Sequence, residues 1–426
     1  MVKYSYRWPS TNPSMPINKE DSLFKQIDRK YCGSDRCRFI LPVVITEQES
    51  KAQMHFRQLA FLAGKIGRTI VLPNVHSSHL GACLSSPFDF YYDQIKWLKE
   101  NRKGHFNYIT MSEFKAWIKE RQAVGVLPTA QEIHIQGSQK SKLLKKQKNC
   151  FKSSFDFSDR PISSYQFLDI SHPRKKDGNI TQIMMSLLGD QAREYEHIGG
   201  SDKPVDVINL FYDRRYNFIR NEGANVPIPY SQNLVNIADK ISSQLKPYMA
   251  IHWRMERLEP LSNLVPCAED LIERIHKLDN KNQEHQHPNV FLLTDYPHLL
   301  NATGARPESS SFYSNQLRPE HHQAIRHLYE HLNVTLTSAT DRPIPYKELP
   351  STNWNIIPID THADQSILGI IDKLVAMKAQ WFFAGKPGVC AKSSSFTGRI
   401  SVSRLKAFRE GDKDIIVPLE TFNMPS

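Results

Sequence analysis

The chain is expected to fold as an α/β protein of two domains, each built on a parallel sheet. Three features predict this. At 426 residues it exceeds what one hydrophobic core organises. Strand-length apolar runs alternate with segments of helical periodicity in both halves, the pattern that builds parallel sheets. Two distant segments, Tyr248–Glu256 (YMAIHWRME) and Cys390–Arg399 (CAKSSSFTGR), place polar side chains where strands end and helices begin. In an open α/β sheet those ends face one ligand-binding crevice.

In chain order, residues 1–37 are polar, with Pro and Ser scattered through them, and are expected to form a loose arm. Arg38–Thr46 (RFILPVVIT) reads as a strand in which Pro42 marks a kink or an edge position. Glu47–Ile66 has Met54, Leu59, Leu62, Ala63 and Ile66 near helical spacing, and Gly67 stops it. Thr69–Pro73 (TIVLP) is a second strand, which makes a βαβ unit and hence a parallel pair. Residues 138–165 carry Lys140, Lys142, Lys145, Lys146, Lys148 and Lys152, so a solvated surface insertion is expected, with an anionic docking patch as the alternative. Asp206–Phe211 (DVINLF) returns to strand.

Gln232–Leu245 carries the clearest helical pattern, with Ser231 as N-cap and Leu234, Ile237, Ile241 and Leu245 on one face. Pro247 ends it, and the domain boundary is placed there, giving 38–246 and 247–426. The second half then alternates: strand Tyr248–His252, helix Cys267–Leu278, strand Val290–Thr294, helix Pro319–Leu332 and strand Val334–Leu336. Strand Trp354–Ile359, helix Gln365–Lys378, strand Trp381–Ala384 and a helix from Ser394 to Lys406 complete it.

A formal net charge of +11 and a pI near 9.2 call for an anionic partner. Nucleic acid, an acidic membrane surface and a nucleotide diphosphate all qualify; no nucleic-acid-binding motif accompanies the charge, so nucleic acid is the least expected of them. The six cysteines (Cys32, Cys37, Cys83, Cys150, Cys267, Cys390) form no CxxC pair, so no metal site is expected. They either stay reduced or pair, Cys32 with Cys37 closing a short loop. Sequons at Asn179, Asn301 and Asn333 are no more than chance supplies. No segment reaches membrane-spanning length and no apolar leader opens the chain, which fits a cytoplasmic protein or one lacking its targeting segment.

His252 and Arg254, two apart on a strand, share a face. A guanidinium there can hold a diphosphate and stabilise a leaving group's charge; pairing with Glu256 or Glu259 is the structural alternative. Ser393, Ser394, Ser395 and Thr397 bracket Phe396 just before Gly398. Hydroxyls and free N–H groups at a helix start bind phosphate well, although capping is their commoner use. Asp295, at the end of an apolar strand, could reach a ribose or base edge or cap the next helix. Asp372, within a helix, could reach a nucleotide or face solvent.

Lys51–Pro73 resembles the first helix and strand of the GDP-fucose protein O-fucosyltransferases. His252-Trp-Arg254 is similar to that family's H-x-R motif, Ser394-Ser-Phe-Thr397 to its C-terminal S-S-F-T segment, Thr294-Asp295 to a T-D step, and Arg404 to a basic residue further on. The matches run in order from residue 40 to residue 405, and the segments EQESKAQMH and HWRME look most like a divergent fungal branch. The resemblance implies a GT-B architecture, two Rossmann-like domains facing across a cleft, the N-terminal one on the acceptor side and the C-terminal one holding the nucleotide sugar.

It further implies GDP-fucose as donor, a protein Ser/Thr or a glycan hydroxyl as acceptor, inversion at the anomeric carbon, no metal or separate cofactor, and work in the endoplasmic reticulum or Golgi lumen. Arg254 would be catalytic; His252, Asp295, Asp372, Ser394, Ser395, Phe396 and Thr397 would bind substrate. Some members use a Glu near the first helix as the base that takes the acceptor proton. Glu47 and Glu49 are nearest here, offset by one position, and Lys51 stands where the family has Asn. A transferase of the same fold using another nucleotide sugar, or a non-catalytic relative binding carbohydrate or protein, are the alternatives.

Overall fold

The computed structural model describes residues 19–100, 106–136, 142–155, 157, 166–169, 178–188, 205–213, 219, 224, 227–281, 288–300, 312, 314–340, 344–345, 354–362 and 364–425. Residues 1–18 of the expected arm, Lys140 and Asn301 lie outside them. The rest of the arm is not loose. Lys19–Cys32 is helix α1, docked on a later helix through Asp28, which accepts from Trp117 Nε1 at 2.7 Å and pairs with Arg121 at 2.8 Å. The polar composition concealed one buried carboxylate and its two partners.

The first sheet begins with β1 (Phe39–Ile45), α2 (Glu49–Lys65) and β2 (Thr69–Val71), the expected βαβ unit. β1 is wholly buried and paired on both sides, so Pro42 is not at an edge. It sits at a register shift between Pro42 and Val44, where a missing N–H does no harm. A hairpin, β3 (Asn74–His76) and β4 (His79–Gly81), pairs antiparallel along the far end of β1. Then come α3 (Gln94–Glu100), β5 (Tyr108–Ile109), α4 (Met111–Ala123) and β6 (Ala130–Gln136). The capping box that starts α4, Thr110 with Glu113, is a sequence signal.

The lysine-rich stretch is helix α5 (Lys142–Ser154), not a loop. Leu143, Gln147 and Phe151, spaced by four, turn toward the protein, and Cys150 is disulfide-bonded to Cys83. Lys145 and Lys146 are exposed. The half closes with β7 (Gln166–Asp169), α6 (Gly178–Leu188) and β8 (Val207–Asp213). Its parallel strands run β5-β2-β1-β8-β6-β7.

Helix α7 (Gln232–Leu245) precedes the second sheet and packs on one of its helices. Six strands of that sheet are all parallel, in order β14-β12-β10-β9-β15-β16. They are β9 (Tyr248–Trp253), β10 (Asn289–Thr294), β12 (Val334–Ser338), β14 (Trp354–Pro358), β15 (Trp381–Gly385) and β16 (Val417–Phe422). A small antiparallel pair, β11 (Leu299–Leu300) and β13 (Ile344–Pro345), lies apart. The helices are α8 (Leu264–Lys281), α9 (Pro319–His331), α10 (Ser366–Lys378) and α11 (Ser395–Arg409). Helix α8 starts earlier than expected because Pro266 is tolerated in a first turn, where its missing N–H has no partner to lose.

The architecture is two Rossmann-like α/β halves, each built on a mainly parallel sheet of its own. The largest apolar core runs from Ile40 and α2 through α7 to α10 and Ile400, so the halves share a continuous interior.

Candidate functional site

In the second sheet the chain adds β10, β12 and β14 on one side of β9, then returns to place β15 on the other. Ligands in open α/β sheets bind at the carboxyl end of such a reversal. His252 and Trp253 end β9, and Arg254 follows them. The segment after β15 leads to α11. The two motifs singled out in the sequence therefore meet at the switch point.

Backbone contacts lock them together. Lys392 N–H donates to Arg254 O at 3.0 Å, and Trp253, fully buried, donates its indole N–H to Cys390 O at 2.7 Å. The approach requires a glycine at the end of β15: a Cβ on Gly385 would lie 2.7 Å from that of Ala391. The Cys267–Cys390 disulfide ties the same loop to α8. Cys32–Cys37 and Cys83–Cys150 are the other two, and no cysteine is free.

His252 Nδ1 and Thr397 Oγ1 share a hydrogen bond of 2.8 Å, and the imidazole stacks on Phe396 with centroids 5.0 Å apart. Burial, then the Arg254 charge, lower the His252 pKa to about 3, so the ring is neutral near pH 7. Ser394 is the N-cap of α11; its hydroxyl accepts from the N–H of Phe396 at 3.2 Å and of Thr397 at 3.5 Å. Ser395 and Gly398 are exposed beside it.

Arg254 is 28% exposed and pairs with Glu256, while donating to Ser393 O at 3.3 Å. The ion pair with Glu256, one of the two alternatives for Arg254, is thus present. Glu256 also faces Lys392 at 3.4 Å, so two cations share one carboxylate and the group stays net positive.

Asp295 neither caps a helix nor points at open space. Its oxygens accept from the N–H of Met255 at 2.8 Å and of Glu256 at 3.0 Å, fixing the turn that carries Arg254. Burial raises its pKa to about 6 against those bonds. Asp372 is half-buried and accepts from Thr337 at the end of β12 at 2.6 Å. Arg404 is fully buried and donates to the carbonyls of Ala376, Ala379 and Val417 among others, closing the end of α10.

The two candidate bases differ sharply. Glu47 is 18% exposed, with Lys51 at 3.5 Å. Glu49 is buried at the start of α2 and reaches across to the second half, where it pairs with Lys373 of α10. It also accepts from Tyr230 at 2.7 Å and Ser50 at 2.9 Å. Burial alone would raise its pKa, but the Lys373 charge and these donors hold it below the usual carboxylate range. Lys373, 1% exposed, lies 5.0 Å from the Phe396 ring centroid. Sequence reasoning missed Lys373, which looks like any helical lysine.

Among the described residues one group has metal-ligand spacing: His327, Glu330 and His331, with ligand atoms within 4.8 Å of one another. It lies on the last turn of α9, just before β12 begins, and so at the sheet edge away from the carboxyl ends of the strands.

No family model matches the chain, and no curated protein matches it. Solved structures do. The crystal structure of POFUT1 in complex with GDP is similar with a TM-score of 0.47 and 12% identity over 90% of this chain and 98% of that one. NodZ alpha-1,6-fucosyltransferase co-crystallized with GDP is similar with a TM-score of 0.35 and 11% identity over 86% and 91%. The fucosyltransferase NodZ from Bradyrhizobium gives 0.35 and 11% over 86% and 92%.

Proposed function

We propose that the chain is an inverting GT-B glycosyltransferase that moves fucose from GDP-fucose to a protein Ser/Thr or glycan hydroxyl. One observation carries this reading: an H-x-R strand end and an S-S-F-T helix start, 145 residues apart between His252 and Thr397, are joined by a hydrogen bond at a sheet switch point. Either motif alone would be an ordinary strand end or N-cap.

In this mechanism the diphosphate lies against Arg254 and the start of α11, where the hydroxyls of Ser394 and Ser395 supply donors. Glu256 yields part of its hold on Arg254, since the carboxylate keeps Lys392. Charge building on the leaving GDP strengthens the guanidinium contact in the transition state, which is where such a contact accelerates reaction. Neutral His252 positions Thr397 and Phe396, Asp295 holds the Arg254 turn, and Asp372 faces the nucleotide from α10. Glu49 is committed to Lys373, so Glu47 takes the acceptor proton. The first half presents the acceptor and the second the donor. Three disulfides favour an oxidising compartment, and we place the protein in the lumen of the secretory pathway.

Calorimetric titration with GDP, GDP-fucose and UDP-sugars tests the proposal. Micromolar, guanine-selective binding is expected, with transfer lowered about 10²–10³-fold in Arg254→Ala. A UDP preference would leave the fold reading but change the donor. The Arg254–Glu256 ion pair favours a second reading, a relative that binds carbohydrate or protein without catalysis. Folded wild type that binds no nucleotide would establish that second reading, and a near-normal rate in Arg254→Ala would sink the mechanism.

A further inference from the structure

The end of α9 reads His327-Leu-Tyr-Glu330-His331. Residues three and four apart share one face of a helix, so both imidazoles and the carboxylate stand together. Each offers a ligand atom within 4.8 Å of the other two, and the two rings lie 4.5 Å apart between centroids. Glu330 and His331 are exposed and His327 is half-buried. The residues between them face the other way: Leu328 and Tyr329 are buried in the core of the second half, and Tyr329 packs edge-on against Trp354 of β14. The three side chains therefore ride on a turn whose backbone is held from beneath, a firmer platform than a loop provides.

The ring of His331 is set in one tautomer. Its Nδ1 lies 2.8 Å from the carbonyl oxygen of His327. A carbonyl only accepts, so Nδ1 carries the proton and the lone pair of the neutral ring sits on Nε2. Imidazoles that ligate metals hold their second N–H in the same way, which fixes ring orientation. Among the described residues Glu330 makes no ion pair, and the C-terminal end of a helix favours a cation.

We propose that His327, Glu330 and His331 form a Zn²⁺ site, at the end of the second sheet opposite the strand ends that carry Arg254. Two imidazoles and a carboxylate suit a borderline ion, whereas Ca²⁺ and Mg²⁺ call for oxygen ligands. Zinc brings no geometric demand from its d electrons, so three ligands on one helix face hold it with water in the fourth position. Bonds of about 2.0–2.2 Å in a tetrahedron set ligand atoms about 3.3 Å apart, and the side chains close the remaining gap by turning about their own bonds. The H-x-x-E-H spacing also serves zinc hydrolases that take a further ligand from elsewhere in the chain. Here the described residues supply no further ligand, so Glu330 is the third. The ion fastens the last turn of α9 just ahead of β12, and the site stands whether or not the chain transfers a sugar.

Calorimetric titration of zinc chloride into the untagged full chain, first stripped of metal with a chelator, tests the site. Wild type is compared with Glu330→Gln and with the double variant His327→Ala/His331→Ala. Wild type should take up one zinc equivalent more than the double variant, whatever other histidines bind. Glu330→Gln should keep that event at an affinity about tenfold lower or less, and Ca²⁺ should not distinguish the three proteins. Without metal all three should melt alike, since none of the changed side chains is buried. Zinc should then raise the wild-type Tm more than that of the double variant. Equal zinc uptake by wild type and double variant would overturn the site, and undiminished affinity in Glu330→Gln would overturn the three-ligand set.

Discussion

Glu49 and Lys373 show how much one buried pair can ask of a fold. Removing one partner leaves the other as an uncompensated buried charge. Glu49→Gln and Lys373→Met should therefore each cost about 3–5 kcal/mol, and the double variant should recover most of it. Urea unfolding of the four proteins checks this; strictly additive losses would mean that the pair does not act as one. Because the folded pKa of Glu49 lies below its unfolded value of about 4.3, its contribution is present above that value and is lost as pH falls through the folded one. Asp295 works in the opposite direction. Its folded pKa is raised to about 6, so its ionisation weakens the fold as pH climbs from about 4 to 6, by at most about 3 kcal/mol. Asp295→Asn should flatten that part of the stability profile, measured by denaturation across pH 4–7. An unchanged slope would place the carboxyl in a more solvated setting than the structure gives it. Neither role was legible beforehand. The partner of Lys373 is 324 residues away, and what makes Asp295 a backbone anchor is a turn that no local pattern encodes.

At the scale of elements, what could be read followed from what was local. Strands β1, β9, β10 and β15 are apolar runs buried nearly throughout, and α7 has an apolar stripe, so composition and period found them. α5 failed for a physical reason: its lysines dominate the composition, while the residues that seat it recur only every fourth position. Strand order was beyond reach, because the reversal beside β9 is a property of pairing and not of any one segment. Both motifs were visible; that they touch was not. The loop that joins them is held covalently by Cys267–Cys390, 123 residues apart in sequence. Replacing both cysteines by serine should cost about 2–5 kcal/mol, read as a lower Tm. It should also weaken GDP binding, because the start of α11 would lose its anchor to α8. Unaltered melting and binding would mean that packing around Trp253 suffices to hold the loop.

For the whole molecule, contacts at the seam matter most. Asp364, just before α10, accepts from Ser77 N–H at 3.2 Å and from Tyr91, both in the first half. Glu49 reaches the other way to Lys373. The disulfides follow a different rule. Two bind cysteines that precede β8 and the third binds cysteines that follow β9, so every cross-link stays within one half. Each half is stapled internally, while among the described residues the line between them is closed by hydrogen bonds, an ion pair and shared apolar packing. Prising the molecule open for a bulky substrate would therefore break no covalent bond, and clamping it shut would need only a ligand that bonds to both rims. Its covalent staples thus constrain each shell, and the parting line is left to contacts that can be remade.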